Sequence, residues 1–95
     1  MTELENREAV GVVREYFRKP GVAAVQILHG RVKVGDSVRF FGHTTDFNQV
    51  IGSMQMNHTD ILEAAKGDFV GILVGERVRE NDRMYLESGD MEASL

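Results

Sequence analysis

The sequence predicts an all-β fold: a six-stranded antiparallel β-barrel with one short helical turn. Three observations predict it. Short runs rich in β-branched and aromatic residues recur along the 95 residues. Turn signals separate these runs at regular intervals. The dipeptide Gly-Asp occurs at Gly35-Asp36 and again at Gly67-Asp68, each time just before an apolar run. Glycine supplies the backbone freedom of a tight turn, and aspartate supplies a local side-chain acceptor.

Residues 1–7 read as a disordered tail, 8–87 as a single barrel domain and 88–95 as a second disordered tail. The first strand covers 8–17. Strict alternation puts Val10, Val12, Arg14 and Tyr16 on one face, and Val13, Glu15 and Phe17 on the other. Gly11 marks a bulge or the close approach of another backbone. Arg18-Lys19-Pro20-Gly21 predicts a type II turn, with Pro presetting its φ and Gly accepting a positive one. A second strand over 22–28 completes a hairpin.

His29-Gly30 breaks that strand, and 31–34 leads into the first Gly-Asp turn. The third strand, 37–41, turns Val38 and Phe40 inward and Arg39 and Phe41 outward. After a loop at 42–46, a fourth strand runs over 47–56, with a bulge expected near Gly52. The helical turn is expected within 57–66. There Asp60 and Glu63 have capping-box spacing, Ala64 and Ala65 favour helix, and Gly67 stops it. A fifth strand over 69–75 and a closing strand over 83–86 flank a polar turn at 76–82. The expected core includes Val12, Val25, Ile27, Val38, Phe40, Ile51, Val70, Ile72 and Val74. Met54, Met56 and Met84 are expected to fill gaps in it.

Composition narrows the class. The chain carries a net charge of −4 and no cysteine, which excludes disulfide and thiolate chemistry. The start M-T-E-L-E-N-R-E is too acidic for a signal peptide. No apolar run approaches the roughly 20 residues that span a bilayer. The expectation is a soluble cytoplasmic protein with no membrane contact. Charge is distributed unevenly, with Arg14, Arg18, Lys19, Arg31, Lys33 and Arg39 in the first half and mostly acids from Asp60 onward.

Four segments follow one another in an order that resembles the second domain of translational GTPases. They are K-V-G-D-S-V-R-F-F-G, a strand ending S-M-Q-M, E-A-A-K-G-D-F-V-G-I-L-V, and R-V-R-E-N-D-R-M-Y-L. Elongation factor Tu, the selenocysteine-specific elongation factor and initiation factor 2 carry such a domain. The resemblance spans residues 10–86 and implies a translation-protein β-barrel that docks on RNA, ribosomes or neighbouring domains. The sequence departs from the family in three places. It has no G-x-x-x-x-G-K-[ST] phosphate loop, so no GTP binding is expected. Residues 21–26 read G-V-A-A-V-Q where elongation factor Tu has a G-T-V-V-T-G-like run, so its aminoacyl-tRNA pocket is not carried over. Asn81-Asp82 stands where the family often has Arg-Gly. The expected assembly is a freestanding barrel.

Sites for chemistry are sparse. His29, His43 and His58 are scattered over loops, which is wrong for the convergent ligands of a metal centre. Ser37, Ser53, Thr44 and Thr45 lack a nucleophile elbow. Turn chemistry accounts for Asp36 and Asp68. No enzyme activity, cofactor or metal is therefore expected. The main expectation is a non-enzymatic translation-factor-like module that contacts ribosomal RNA or tRNA. Arg14, Arg18, Lys19, Arg31, Lys33 and Arg39 would meet phosphates, and Tyr16 or Phe41 would stack on bases. The plainer reading of the same residues, and the one that solvated barrel surfaces favour, is a surface with snorkelling arginines. The alternative function is a protein–protein interaction or accessory module for a separately encoded enzyme. Its contact region would be the acidic second half with Phe41 and Phe47.

Overall fold

The computed structural model describes residues 8–87. The two tails expected at 1–7 and 88–95 lie outside the described residues. The described chain is all β. Its strands are β1 (Gly11–Phe17), β2 (Val22–Ile27), β3 (Arg31–Lys33), β4 (Ser37–Phe41), β5 (Asp46–Val50), β6 (Met54–Met56), β7 (Thr59–Ile61), β8 (Glu63–Ala65), β9 (Phe69–Leu73) and β10 (Arg83–Leu86). Eight of them form one curled antiparallel sheet in the order β5-β4-β10-β1-β2-β9-β6-β7, and β3 pairs with β8.

The strand count exceeds the expected six for local reasons. The expected fourth strand is two strands, β5 and β6, because the chain changes partner between them. Val50 pairs with Ser37 of β4, whereas Met54 pairs with Ile72 of β9. Residues 51–53 carry the chain across, and Ile51 is anchored by backbone bonds to Asp36 and Gly35. A strand that switches partners at a bend is how a sheet turns a corner. The seam between β5 and the end of β9 is held by a side chain. Gln49 donates from Nε2 to the Leu73 carbonyl (2.9 Å) and accepts at Oε1 from the Gly75 N–H (2.9 Å).

No helical turn forms at 57–66. Asn57 and His58 both take positive φ, 54° and 66°. Positive φ at both central residues is the demand of a type I′ hairpin turn, and it joins β6 to β7 with Met56 opposite Thr59. Asp60 accepts a bond from Gln55 instead of capping a helix. The Ala64-Ala65 run is too short to nucleate a helix alone, and Ala64 is buried in β8 opposite Val32.

The Gly-Asp turn occurs in three copies, not two. Lys33-Val34-Gly35-Asp36, Ala65-Lys66-Gly67-Asp68 and Arg79-Glu80-Asn81-Asp82 share one geometry. In each, the fourth N–H bonds the first carbonyl, at 3.0, 2.9 and 3.0 Å. In each, the aspartate Oδ2 accepts from the first N–H, at 3.0, 2.9 and 2.8 Å. The third residue takes φ of 100°, 96° and 77°, the requirement of a type II turn. At the hairpin between β1 and β2 the Lys19–Pro20 peptide is cis, Gly21 takes the expected positive φ, 97°, and its N–H bonds the Phe17 carbonyl at 2.9 Å.

The core cluster contains Val25, Ile27, Val38, Phe40, Ile51, Val70, Ile72 and Val74, as expected, together with Met54 and Met84. Val12 is the exception. It is buried, but Val13 takes its place in the cluster. The register of β1 against β2 shifts between Val13 and Glu15, so Arg14 is an extra residue that reverses the alternation after it. Tyr16 therefore packs against the core, and Glu15 and Phe17 face outward. Gly11 marks close approach: a Cβ there would sit 2.8 Å from Val25 Cγ1.

Candidate functional site

The expected RNA-binding residues fall into separate groups. Arg31 on β3 pairs with Glu63 on β8 at 2.8 Å, and Lys33 pairs with Asp36 at 3.4 Å. Arg39 on β4 makes two parallel bonds of 2.8 Å to the Asp46 carboxylate, and its guanidinium lies 5.3 Å from the Phe41 ring centre. The hydrogen bond from Arg39 holds the Asp46 carboxyl below the usual carboxylate range, and the same bond raises the Arg39 pKa. These three cations are already matched to carboxylates of the protein itself.

The remaining expected residues converge on one place. Arg14, bulged out of β1, donates from Nε and Nη2 to Gln26 Oε1 at 2.9 and 2.7 Å. Arg18 and Lys19 project from the β1–β2 loop. Together with Tyr16 they line two adjoining open depressions of about 540 and 710 Å³. The opposite wall was not legible in the sequence: Arg77 and Arg79 arrive from the β9–β10 loop. That loop is pinned because Val78 is buried in the core between them and Asn81 and Asp82 bond to the backbone of Val13. Alternation about Val78 sends both arginines outward. The acidic composition of the second half concealed them.

A second surface is apolar. Direct cross-strand register places Phe17, Val22 and Leu73 in one row on the outer face of β1, β2 and β9. Phe17 is 46% exposed and Leu73 49%. Leu73 lies at the junction of two hollows, one shared with Pro20 and Val22 and one with Val50. Gly71 lines the first of these hollows. Of the contact residues expected for a protein partner, Phe47 is unsuitable, since it stacks on the core Phe40 with ring centres 5.3 Å apart. Phe41 is exposed, but beneath Arg39.

Among the described residues, no three His, Cys, Asp or Glu side chains come together as metal ligands. His29 lies 3.9 Å from Glu8, and His58 sits in the β6–β7 turn. Among the same residues, no helix is long and apolar enough to cross a membrane.

A curled antiparallel sheet opened by repeated Gly-Asp turns defines the class. The chain belongs to the family of elongation factor Tu domain 2, whose model matches residues 21–90. Among the curated proteins it resembles are proteases. An uncharacterized protease of Methanocaldococcus jannaschii is 40% identical over 78 residues, 81% of this chain and 19% of that protein. A collagenase of Porphyromonas gingivalis is 32% identical over 77 residues, 80% of this chain and 21% of that protein. The chain thus spans about a fifth of the length of the curated relatives it matches. Crystal structures of the C-terminal domain of a Geobacillus thermoleovorans protein assigned to the U32 peptidases are 28% identical. One superposes with a TM-score of 0.79, covering 85% of this chain and 93% of that domain. The selenomethionine variant gives 0.77, covering 83% and 99%.

These relatives overturn the expectation of a translation-factor-like module acting on ribosomal RNA or tRNA. The physical reason lies in the motifs that carried it. K-V-G-D and A-K-G-D encode type II turns, which build the barrel whatever the barrel binds. Half of the expected phosphate-binding cations are occupied by the protein's own acids.

Proposed function

We propose that this chain is an accessory, non-catalytic β-barrel that works beside a U32-type peptidase and docks on protein. The observation that carries the proposal is the outward apolar row of Phe17, Val22 and Leu73, continued by Val50 across the β5–β9 seam. Exposed apolar side chains gathered on one sheet face mark a contact surface more often than a solvated one. The relatives supply the partner. The structures matched over nearly their full length are C-terminal domains of a U32 peptidase, and the curated matches are segments of larger proteases. The catalytic unit is then a separate body of protein, fused to the barrel or bound by it. No phosphate loop is present in the sequence, so the reading gives GTP no part. A cytoplasmic setting completes it, compatible with a chain that contains no cysteine.

The test is affinity capture from a native lysate of the source organism, with RNase added, followed by mass spectrometry. A U32-type peptidase is the expected catch, and Leu73→Asp should abolish its capture without changing the melting curve. Capture of ribosomal components alone, or undiminished capture by the variant, would refute the proposal.

A further inference from the structure

The basic cleft between the β1–β2 loop and the β9–β10 loop is a second, chemically different surface. We infer that it binds a carboxylate-rich peptide segment of a partner protein. The inference rests on the docking role proposed above for the class of its ligand, and on the cleft itself for the chemistry.

Charge is the first ground. Arg14, Arg18, Lys19, Arg77 and Arg79 surround Tyr16, and Glu15 and Glu80 are the acids that line the same depressions. Five cations against two carboxylates is a local excess on a chain whose net charge is −4. The second ground is vacancy. Arg31, Lys33 and Arg39 each have a carboxylate partner. Among the described residues, no carboxylate pairs with Arg18, Lys19, Arg77 or Arg79. Lys66 and Arg83 also lack a carboxylate partner among the described residues, but the four cations of the cleft are gathered beside one another, and that gathering keeps a site open for an external anion.

The third ground is geometry. Gln26 holds the Arg14 guanidinium from one edge and leaves Nη1 free of partners among the described residues. Buried Val78 fixes the direction of the two arginines beside it. Planar guanidinium groups held in this way suit the paired oxygens of carboxylates. A peptide fits better than a nucleic acid for a reason of range. The field of the cleft acts over a Debye length of about 8–10 Å in physiological salt. A short acidic segment can stay within it, whereas an extended polyphosphate also meets the repulsion of a chain that is negative overall.

The test uses a fluorescein-labelled three-residue oligoglutamate peptide, about 10 Å long when extended, and fluorescence anisotropy at low and physiological salt. Saturable binding that weakens with salt is expected. The pairs Arg18→Ala/Lys19→Ala and Arg77→Ala/Arg79→Ala should each weaken it about tenfold, at the upper end for two partly screened contacts. Arg31→Ala, away from the cleft and paired with Glu63, should change it by less than about twofold. Matching circular dichroism melts exclude misfolding as the cause of a loss. Absence of binding, equal losses for Arg31→Ala and the cleft pairs, or tighter binding of an oligouridylate of equal charge would each overturn the assignment. Leu73→Asp separates the two proposals. If it loses the peptidase but keeps the peptide, both surfaces stand. If the peptide never binds while capture persists, the cleft assignment alone falls.

Discussion

The three type II turns offer the same hydrogen bond with its aspartate at two depths, which makes its worth measurable within one molecule. Asp36, Asp68 and Asp82 each accept from the N–H three residues earlier. Asp82 is 4% exposed, and Asp36 and Asp68 are half-buried. Replacing the buried Asp82 by Ala empties the place its carboxylate fills and leaves the part-buried Arg79 N–H without its acceptor, which costs about 1–3 kcal/mol. For a domain of this size 1 kcal/mol moves Tm by about 4–8 °C, so Asp82→Ala should melt about 5–20 °C lower. At Asp36 and Asp68 water can replace the lost acceptor, and each alanine should cost about 0.5–1 kcal/mol. Asp82→Asn keeps an acceptor oxygen and should recover part of the loss. The assay is thermal denaturation by circular dichroism, with denaturant melts to check cooperativity. Equal shifts for the three alanine variants would refute the dependence on burial.

Two further outcomes follow from single contacts. Gln49→Ala removes both bonds across the β5–β9 seam and should cost about 1–3 kcal/mol, with the Gly75 amide exchanging faster by NMR; unchanged exchange there would show that the seam does not depend on this side chain. The depressed pKa of Asp46 means that its ion pair with Arg39 stabilises the fold above the unfolded-state value and is lost as pH falls through the lower folded value. A carbon-13 titration of the Asp46 carboxyl should show the depression, and Arg39→Met should raise that pKa.

What the sequence disclosed, and what it hid, divide along the range of the forces involved. Gly35-Asp36 and Gly67-Asp68 were legible because a positive φ and an adjacent acceptor are properties of neighbouring residues. The third copy escaped because Asn81 takes the left-handed conformation in place of glycine, which Asn does with less cost than other residues. Asn57-His58 escaped for the same reason, and the nearby Ala64-Ala65 with its cap-like spacing suggested helix. The inward residues of β2, β4 and β9 followed from alternation. The bulge at Arg14 did not, since an extra residue shows only against the partner strand, and it brought Val13 and Tyr16 onto the same core face. Arg77 and Arg79 reach the β1–β2 loop through tertiary contacts of Val78, Asn81 and Asp82, which no local pattern announces.

The β1–β2 hairpin is where the two candidate surfaces meet. Phe17, Pro20 and Val22 belong to its apolar side, and Arg18 and Lys19 to its basic side. A nucleic acid would use the cations and gain little from the apolar row. A protein segment can use both, with aliphatic side chains over Leu73 and acids in the cleft. Apolar burial would then supply affinity, while the charges set orientation and the rate of encounter. The family fold permits many ligands. The juxtaposition on this hairpin of unmatched cations with exposed apolar side chains is what favours a polypeptide partner here.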